Sequence, residues 1–174
     1  GVELDLDFKI IANSLLQFEG VQRRFEIVKQ SDELTLIDDY GHHPVEIKAS
    51  LKTVKEIWPA RRLIVIFQPH RYSRTKSLMK DFWSAFNDAD HLFVMDIFSA
   101  GESPLDKVHA STIVEGAREC GHKNAKYIKS QNDLNKELHS LAKHGDVLMT
   151  LGAGDVWRLG RDFLVARFSQ KTNY

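Results

Sequence analysis

The sequence predicts an α/β domain: an open, mostly parallel sheet with helices on both faces. Three observations carry that expectation. Strand-like and helix-like segments alternate along most of the chain. The central strand candidates, "RRLIVIFQP" and "GDVLMTLGAG", are apolar throughout rather than alternately polar, as strands covered on both faces must be. The 174 residues, 43% of them hydrophobic, suit one domain with a full core.

Taken in order, residues 5–18 place apolar side chains in a roughly helical pattern, and "EGVQRR" marks a turn. "RFEIVKQSDELTLIDD" reads as two short strands meeting around 30–32. A helix is expected over 44–57, with Pro44 in the first turn, where its missing N–H costs nothing. "RRLIVIFQP" is a strand, 73–86 a helix, and "HLFVMDIF" a strand leading into the loop "SAGESPLD". A helix over 109–119, the short strand "AKYIKS" and a helix over 132–143 follow. "GDVLMTLGAG" is the last buried strand, and 155–167 is the closing helix. The layering is Rossmann-like, and in such sheets ligands bind beyond the carboxyl ends of the strands. Segments 38–44, 68–74, 98–104 and 152–155 each follow a strand, so one shared rim is expected.

Composition narrows the functional classes. Twenty-four basic residues balance 24 acidic ones, so no global charge argues for nucleic acid or an anionic membrane. Any phosphate recognition must come from local clusters. A single cysteine, Cys120, excludes an internal disulfide and fits a reducing compartment. No stretch reaches the roughly 18 apolar residues of a membrane span, and no signal peptide opens the chain, which points to the cytoplasm.

The rim segments carry the chemistry. "DDYGHHP" ends a strand with Asp38 and Asp39, where a carboxylate can accept paired ribose hydroxyls; Gly41 permits a left-handed or tight turn. A well-capped turn, its histidines satisfying backbone groups, accounts for the same residues equally well. A zinc site fits poorly, because adjacent histidines diverge and the only cysteine is remote. "QPHRYSRTK" clusters His70, Arg71, Arg74 and Lys76 between a buried strand and a helix start. Arg71 and Arg74 are three apart and project to one side if the helix begins early. Their guanidinium forks suit carboxylates and phosphates.

Other motifs are weaker. No Gly-x-x-x-x-Gly-Lys phosphate loop occurs anywhere. "LGAGDVWRLG" has Trp157 where a dinucleotide fingerprint needs its third glycine, so Gly152 and Gly154 read as close-approach positions. Glu102 in "SAGESP" is a polar contact on a flexible loop. Trp58, Trp83 and the phenylalanines of the middle helices are expected in the core, and Cys120 as a packing residue. Residue chemistry alone therefore gives an anion-binding rim without a self-sufficient catalytic set.

In order, "DDYGHHPVEIKASL", "IFQPHRYSRTK", "DIFSAGESP" and "GAGDV" resemble the C-terminal domain of the Mur ligases, over nearly the whole chain from about residue 20. The resemblance is nearest to the branch that joins L-alanine to UDP-N-acetylmuramate in peptidoglycan synthesis. It implies that residues 1–174 are the third of three domains. The first would bind the UDP sugar, and the central one would supply the P-loop, the Mg2+ ligands and most ATP contacts. ATP would phosphorylate the muramyl carboxylate, and the amine of L-alanine would attack the acyl phosphate. Carried over residue by residue, Arg24 would reach the nucleotide, Asp39 the ribose, and Tyr40 would lie beside the adenosine. His42, Arg71 and Arg74 would orient the amino acid and stabilise oxyanions, with His70 supporting the arginines. Val45 stands where the family often has threonine. A murein-tripeptide recycling ligase and a non-catalytic nucleotide-binding module are the alternatives; the former usually has Phe-Ala where this chain has Tyr40-Gly41. Without a P-loop, these residues alone are expected not to turn over.

Overall fold

The computed structural model describes residues 2–17 and 21–169. After a 3-10 turn at Val2–Leu4 come α1 (Phe8–Leu16), β1 (Glu26–Lys29), β2 (Leu34–Asp39), α2 (Pro44–Ile57) and β3 (Leu63–Phe67). Two short helices follow, α3 (Tyr72–Ser77) and α4 (Met79–Trp83), then β4 (His91–Val94) and α5 (Ala110–Glu119). β5 (Ala125–Tyr127), α6 (Gln131–Leu141), β6 (Asp146–Leu151) and α7 (Val156–Ser169) complete the order.

The strands lie in the order β1-β2-β6-β3-β4-β5, with every pairing parallel except β1 against β2. The fold class is the one the alternating pattern predicts, with one antiparallel edge strand. β2, β3 and β6 are buried at every position because each divides its side chains between two cores. Leu63, Val65 and Phe67 meet Ile47 and Leu51 of α2, Phe82 of α4 and Ile113 of α5. Ile64 and Ile66 face the other way, towards Leu134 and Leu138 of α6 and Phe163 of α7. The last strand in the chain inserts between β2 and β3, so the carboxyl ends of β2, β6 and β3 adjoin. That placement makes the shared rim.

Several elements depart from the sequence reading. The helix expected over 73–86 breaks at Leu78, which has φ −108 and ψ 12. Thr75 Oγ1 donates to Arg71 O and Ser77 Oγ to Arg74 O, alongside the backbone bonds from Thr75 N–H and Leu78 N–H to the same carbonyls, and such back-bonding favours a bend. β4 stops at Val94 because Pro69 has no N–H to continue the ladder from the β3 side. The pairing resumes only as an isolated bridge between His70 and Phe98. Gly41 does not use a left-handed φ. Its need is close approach, since a Cβ there would lie 2.8 Å from Asp39 Oδ1. Cys120 is exposed rather than packed, at the end of α5. Trp58 is partly buried against the core, and Trp83 lies so close to Gly116 that a Cβ there would overlap its indole. α1 is shorter than the 5–18 reading, and residue 18 lies outside the described residues.

Candidate functional site

The two aspartates that end β2 are turned inward. Asp38 accepts from Thr150 Oγ1 at 2.7 Å and from Arg23 Nε at 3.0 Å. Burial pushes its carboxyl pKa up, against the opposing pull of Thr150 and Arg23. Asp39 Oδ1 accepts from Gly41 N–H at 2.6 Å, and Oδ2 from Phe25 N–H at 2.8 Å and Ser50 Oγ at 3.3 Å. Asp39 therefore organises the chain around it. Arg23 (φ 59) and Phe25 (φ 50) occupy the left-handed region, a local strain that Asp39, Asp38 and the bond from Tyr40 N–H to Arg23 O (2.6 Å) hold in place. Arg23 also donates to Gly152 O at 2.5 Å, so its Nε and Nη2 are both held by the sheet ends. Arg24 is exposed, and its guanidinium carbon lies 5.2 Å from the Tyr40 ring centroid, as does that of Arg23.

The next turn is fixed by α2. His43 is its N-cap, Pro44 its first residue, and Glu46 completes a capping box. Glu46 Oε2 accepts from His42 N–H at 3.0 Å and His43 N–H at 3.1 Å. Burial opposes ionisation of Glu46, but these two N–H groups, with the charges of His42 and Arg24, outweigh it and lower its pKa. His42 Nδ1 is 3.0 Å from Tyr40 O; a carbonyl only accepts, so Nδ1 carries the proton. Glu46→Ala is expected to cost about 1 kcal/mol of stability at pH 7. With a lowered folded pKa, that contribution is present above the ordinary carboxyl range and disappears as pH falls through the folded value. Urea unfolding of the two proteins between pH 7 and pH 3 checks this; a difference independent of pH would refute it.

β3 delivers the basic cluster. Arg71 is the N-cap of α3, so the helix does begin early, and its φ of 69 is another left-handed backbone. Its N–H donates to Phe98 O (2.8 Å), while Phe98 N–H donates to Pro69 O (2.8 Å). Arg74 Nη1 lies 3.3 Å from His70 Nδ1. His70 stacks on Phe98 with centroids 5.6 Å apart and meets the His42 ring at 5.9 Å. Tyr40 meets His42 edge-on at 5.4 Å. Arg24, Tyr40, His42, His70 and Arg74 thus form one chain of contacts, which Arg71 influences by charge. Neither Arg71 nor Arg74 is in an ion pair among the described residues. Glu102 instead accepts from Ser73 Oγ at 2.6 Å and Ser73 N–H at 2.9 Å. Those bonds, and then the charge of Arg71, hold its carboxyl pKa low.

The β6–α7 turn closes the rim. Gln68 Oε1 accepts from Asp155 N–H (3.0 Å) and Val156 N–H (3.2 Å), capping α7, while its Nε2 donates to Asp155 Oδ1 at 2.9 Å. Gly154 gives the Gln68 amide and the Phe98 ring the space a Cβ would take. Arg23, Glu46 and Gln68 are the structural members that the sequence reading did not single out. A capping-box pattern from His43 to Glu46 was the available signal for one of them; Arg23 and Gln68 act across the sheet and had none. Among the described residues, no group of three or more His, Cys, Asp or Glu side chains is placed to hold a metal ion. No helix among the described residues is long and apolar enough to cross a membrane.

The family model described as "Mur ligase, glutamate ligase domain" matches residues 23–154. The chain belongs to the Mur ligase family. A UDP-N-acetylmuramate–L-alanine ligase of Desulfosudis oleivorans is 48% identical over 164 residues, covering 94% of this chain and 36% of that protein. The UDP-N-acetylmuramate-alanine ligase of Thermotoga maritima superposes with a TM-score of 0.79 at 28% identity, over 97% of this chain and 35% of that one. A murein peptide ligase of Psychrobacter arcticus shares the fold, with a TM-score of 0.71 at 21% identity over 88% of this chain and 32% of that one. This Mur ligase chain spans about a third of the length of the curated relatives it matches. The match begins at Arg23 and ends at Gly154, so it takes in the rim up to the β6–α7 turn, and α1 lies before it.

Proposed function

We propose that this chain is the third, C-terminal domain of an ATP-dependent ligase that joins L-alanine to UDP-N-acetylmuramate in peptidoglycan synthesis. The observation that carries the reading is the contact chain from Arg24 to Arg74 at the carboxyl ends of β2 and β3, in which, among the described residues, neither Arg24 nor Arg74 is in an ion pair with a carboxylate. The 48% identity to a relative bearing that activity supports the choice of acceptor. Arg71 and Arg74 bind the carboxylate of the incoming amino acid and the oxyanion that develops when its amine attacks an acyl phosphate. His42, with Nε2 unprotonated in its neutral form, is an acceptor for that amine.

Arg24 and Tyr40 suit the nucleotide: the ring offers a face for a base, and Arg24, unlike Arg23, is exposed and able to reach a phosphate. Asp39 fits a ribose less directly, because three internal donors already share its carboxylate. Its contribution is first to hold Arg23–Phe25 and Gly41 in place, with a remaining lone pair available to a hydroxyl. ATP supplies the phosphoryl group when bound. Mg2+ ligands are assigned to no residue of this chain.

Phosphate release by the full-length protein tests the reading, with UDP-N-acetylmuramate, ATP and magnesium present. L-alanine and the free murein tripeptide are supplied in separate reactions. Release with L-alanine and silence from the 174-residue chain alone are expected. Preference for the tripeptide would transfer the chain to a recycling ligase, and no release with either would leave a binding module.

A further inference from the structure

His70 occupies a position that packing alone does not explain. Its ring lies nearly parallel to Phe98, at 11° and 5.6 Å, and the two backbones form a bridge. A phenylalanine or tyrosine would serve that stack as well. What needs an imidazole is the contact on its edge, where Arg74 Nη1 approaches Nδ1 at 3.3 Å. A guanidinium can only donate, so Nδ1 must accept, which requires a neutral ring with its proton on Nε2. Arg74 is one turn along from His70, and this bond is the only one fixing its guanidinium among the described residues.

We propose that His70 is a positioning residue: its unprotonated Nδ1 holds the Arg74 guanidinium at the rim, and protonation of that nitrogen releases it. The surroundings favour the neutral ring. Burial comes first, and the charges of Arg74, His42 and Arg71 add to it, opposed only by Glu102 from the β4–α5 loop; together they lower the pKa of His70. Among the described residues, these four are the charged groups that act on the ring, from α3 and its N-cap, the β2–α2 turn and the loop after β4. The latch is therefore closed at neutral pH and opens as pH falls through the lowered value. The consequence for acceptor binding rests on the ligase reading above, whereas the latch itself does not.

Two experiments decide it. Long-range 1H–15N spectra of this chain report the tautomer of each histidine. His70 is expected as Nε2–H at pH 7.5, with a pKa that rises when Arg74 is changed to Gln. A proton on Nδ1, or a pKa indifferent to Arg74→Gln, would overturn the latch whatever the enzyme does. In the full-length protein, His70→Asn keeps an acceptor near Nδ1 but cannot be protonated, and His70→Phe keeps only the stack. At pH 7.5, kcat/KM for L-alanine should stay within about threefold of wild type in the Asn variant. The Phe variant should fall about tenfold, mainly through KM. The ratio of the Asn variant to wild type should then rise as pH falls from 7 to 5.5, since ionisation of the alanine amine divides out of it. A flat ratio, or equal losses in Asn and Phe, would sink the proposal. Absence of turnover with any acceptor would instead refute the ligase reading, and the tautomer would still decide the role of His70.

Discussion

Arg74→Ala in the full-length protein is expected to lower kcat/KM for L-alanine by about two to three orders of magnitude. The loss arises because a fork aimed at a developing oxyanion contributes more in the transition state than in the ground state. Stability should barely change. The guanidinium has one described partner, His70, and the bonds that Leu78 N–H and Ser77 Oγ make to Arg74 O are to backbone, which alanine retains. Arg74→Lys restores charge without the fork, so a deficit of about tenfold should remain. Steady-state kinetics with L-alanine varied, together with urea unfolding, make the test. An alanine variant that keeps its activity would remove Arg74 from the site. One that loses activity and unfolds easily would reassign Arg74 to the fold.

Gly152→Ala should destabilise the chain by about 3 kcal/mol. The position has φ +143, and an added Cβ would lie 2.7 Å from Gln68 O and 3.4 Å from Val156 Cγ1. The oxygen cannot retreat easily, because Gln68 N–H donates to Leu151 O at 3.0 Å and the Gln68 side chain caps α7. Gly152 is held as well: its N–H donates to Asp39 O at 3.1 Å, and its carbonyl accepts from Arg23. Any shift therefore disturbs the ends of β2, β3 and β6 together. Gly121→Ala is the control, having φ +98 and nothing within 4 Å of an added Cβ. It carries only the conformational cost, about 1 kcal/mol. Urea midpoints of the two variants decide the matter; equal destabilisation would mean that the contact with Gln68 is not the cause.

Much of the site could be read from neighbours in the chain. Pro44 starts α2 where its missing N–H predicts, and Arg71 stands at the start of α3, directly after a buried strand. The segments following β2, β3, β4 and β6 do meet at one rim, because strands apolar on both faces pack as a parallel sheet whose carboxyl ends align. Other features could not be read in this way. Arg23 and Arg24 are adjacent and chemically identical, yet Arg23 is locked by Asp38 and Gly152 while Arg24 is exposed. Asp39 resembles a ribose reader by position, but its carboxylate is shared by Phe25, Gly41 and Ser50. The break at Leu78 comes where two hydroxyls also bond the backbone carbonyls of the preceding turn, a contact that helical periodicity does not register.

By itself the sequence determined the alternation of strands and helices, the two-faced core and the residue types available at the rim. Each follows from side-chain period and turn chemistry over a few positions. Tertiary structure alone decided which of those residues are engaged and which are left to meet a ligand. Arg23 reaches Gly152 across 129 positions of chain only because β6 inserts between β2 and β3. Strand order is a property of the whole packed sheet, set by burying both cores at once, and no local pattern contains it.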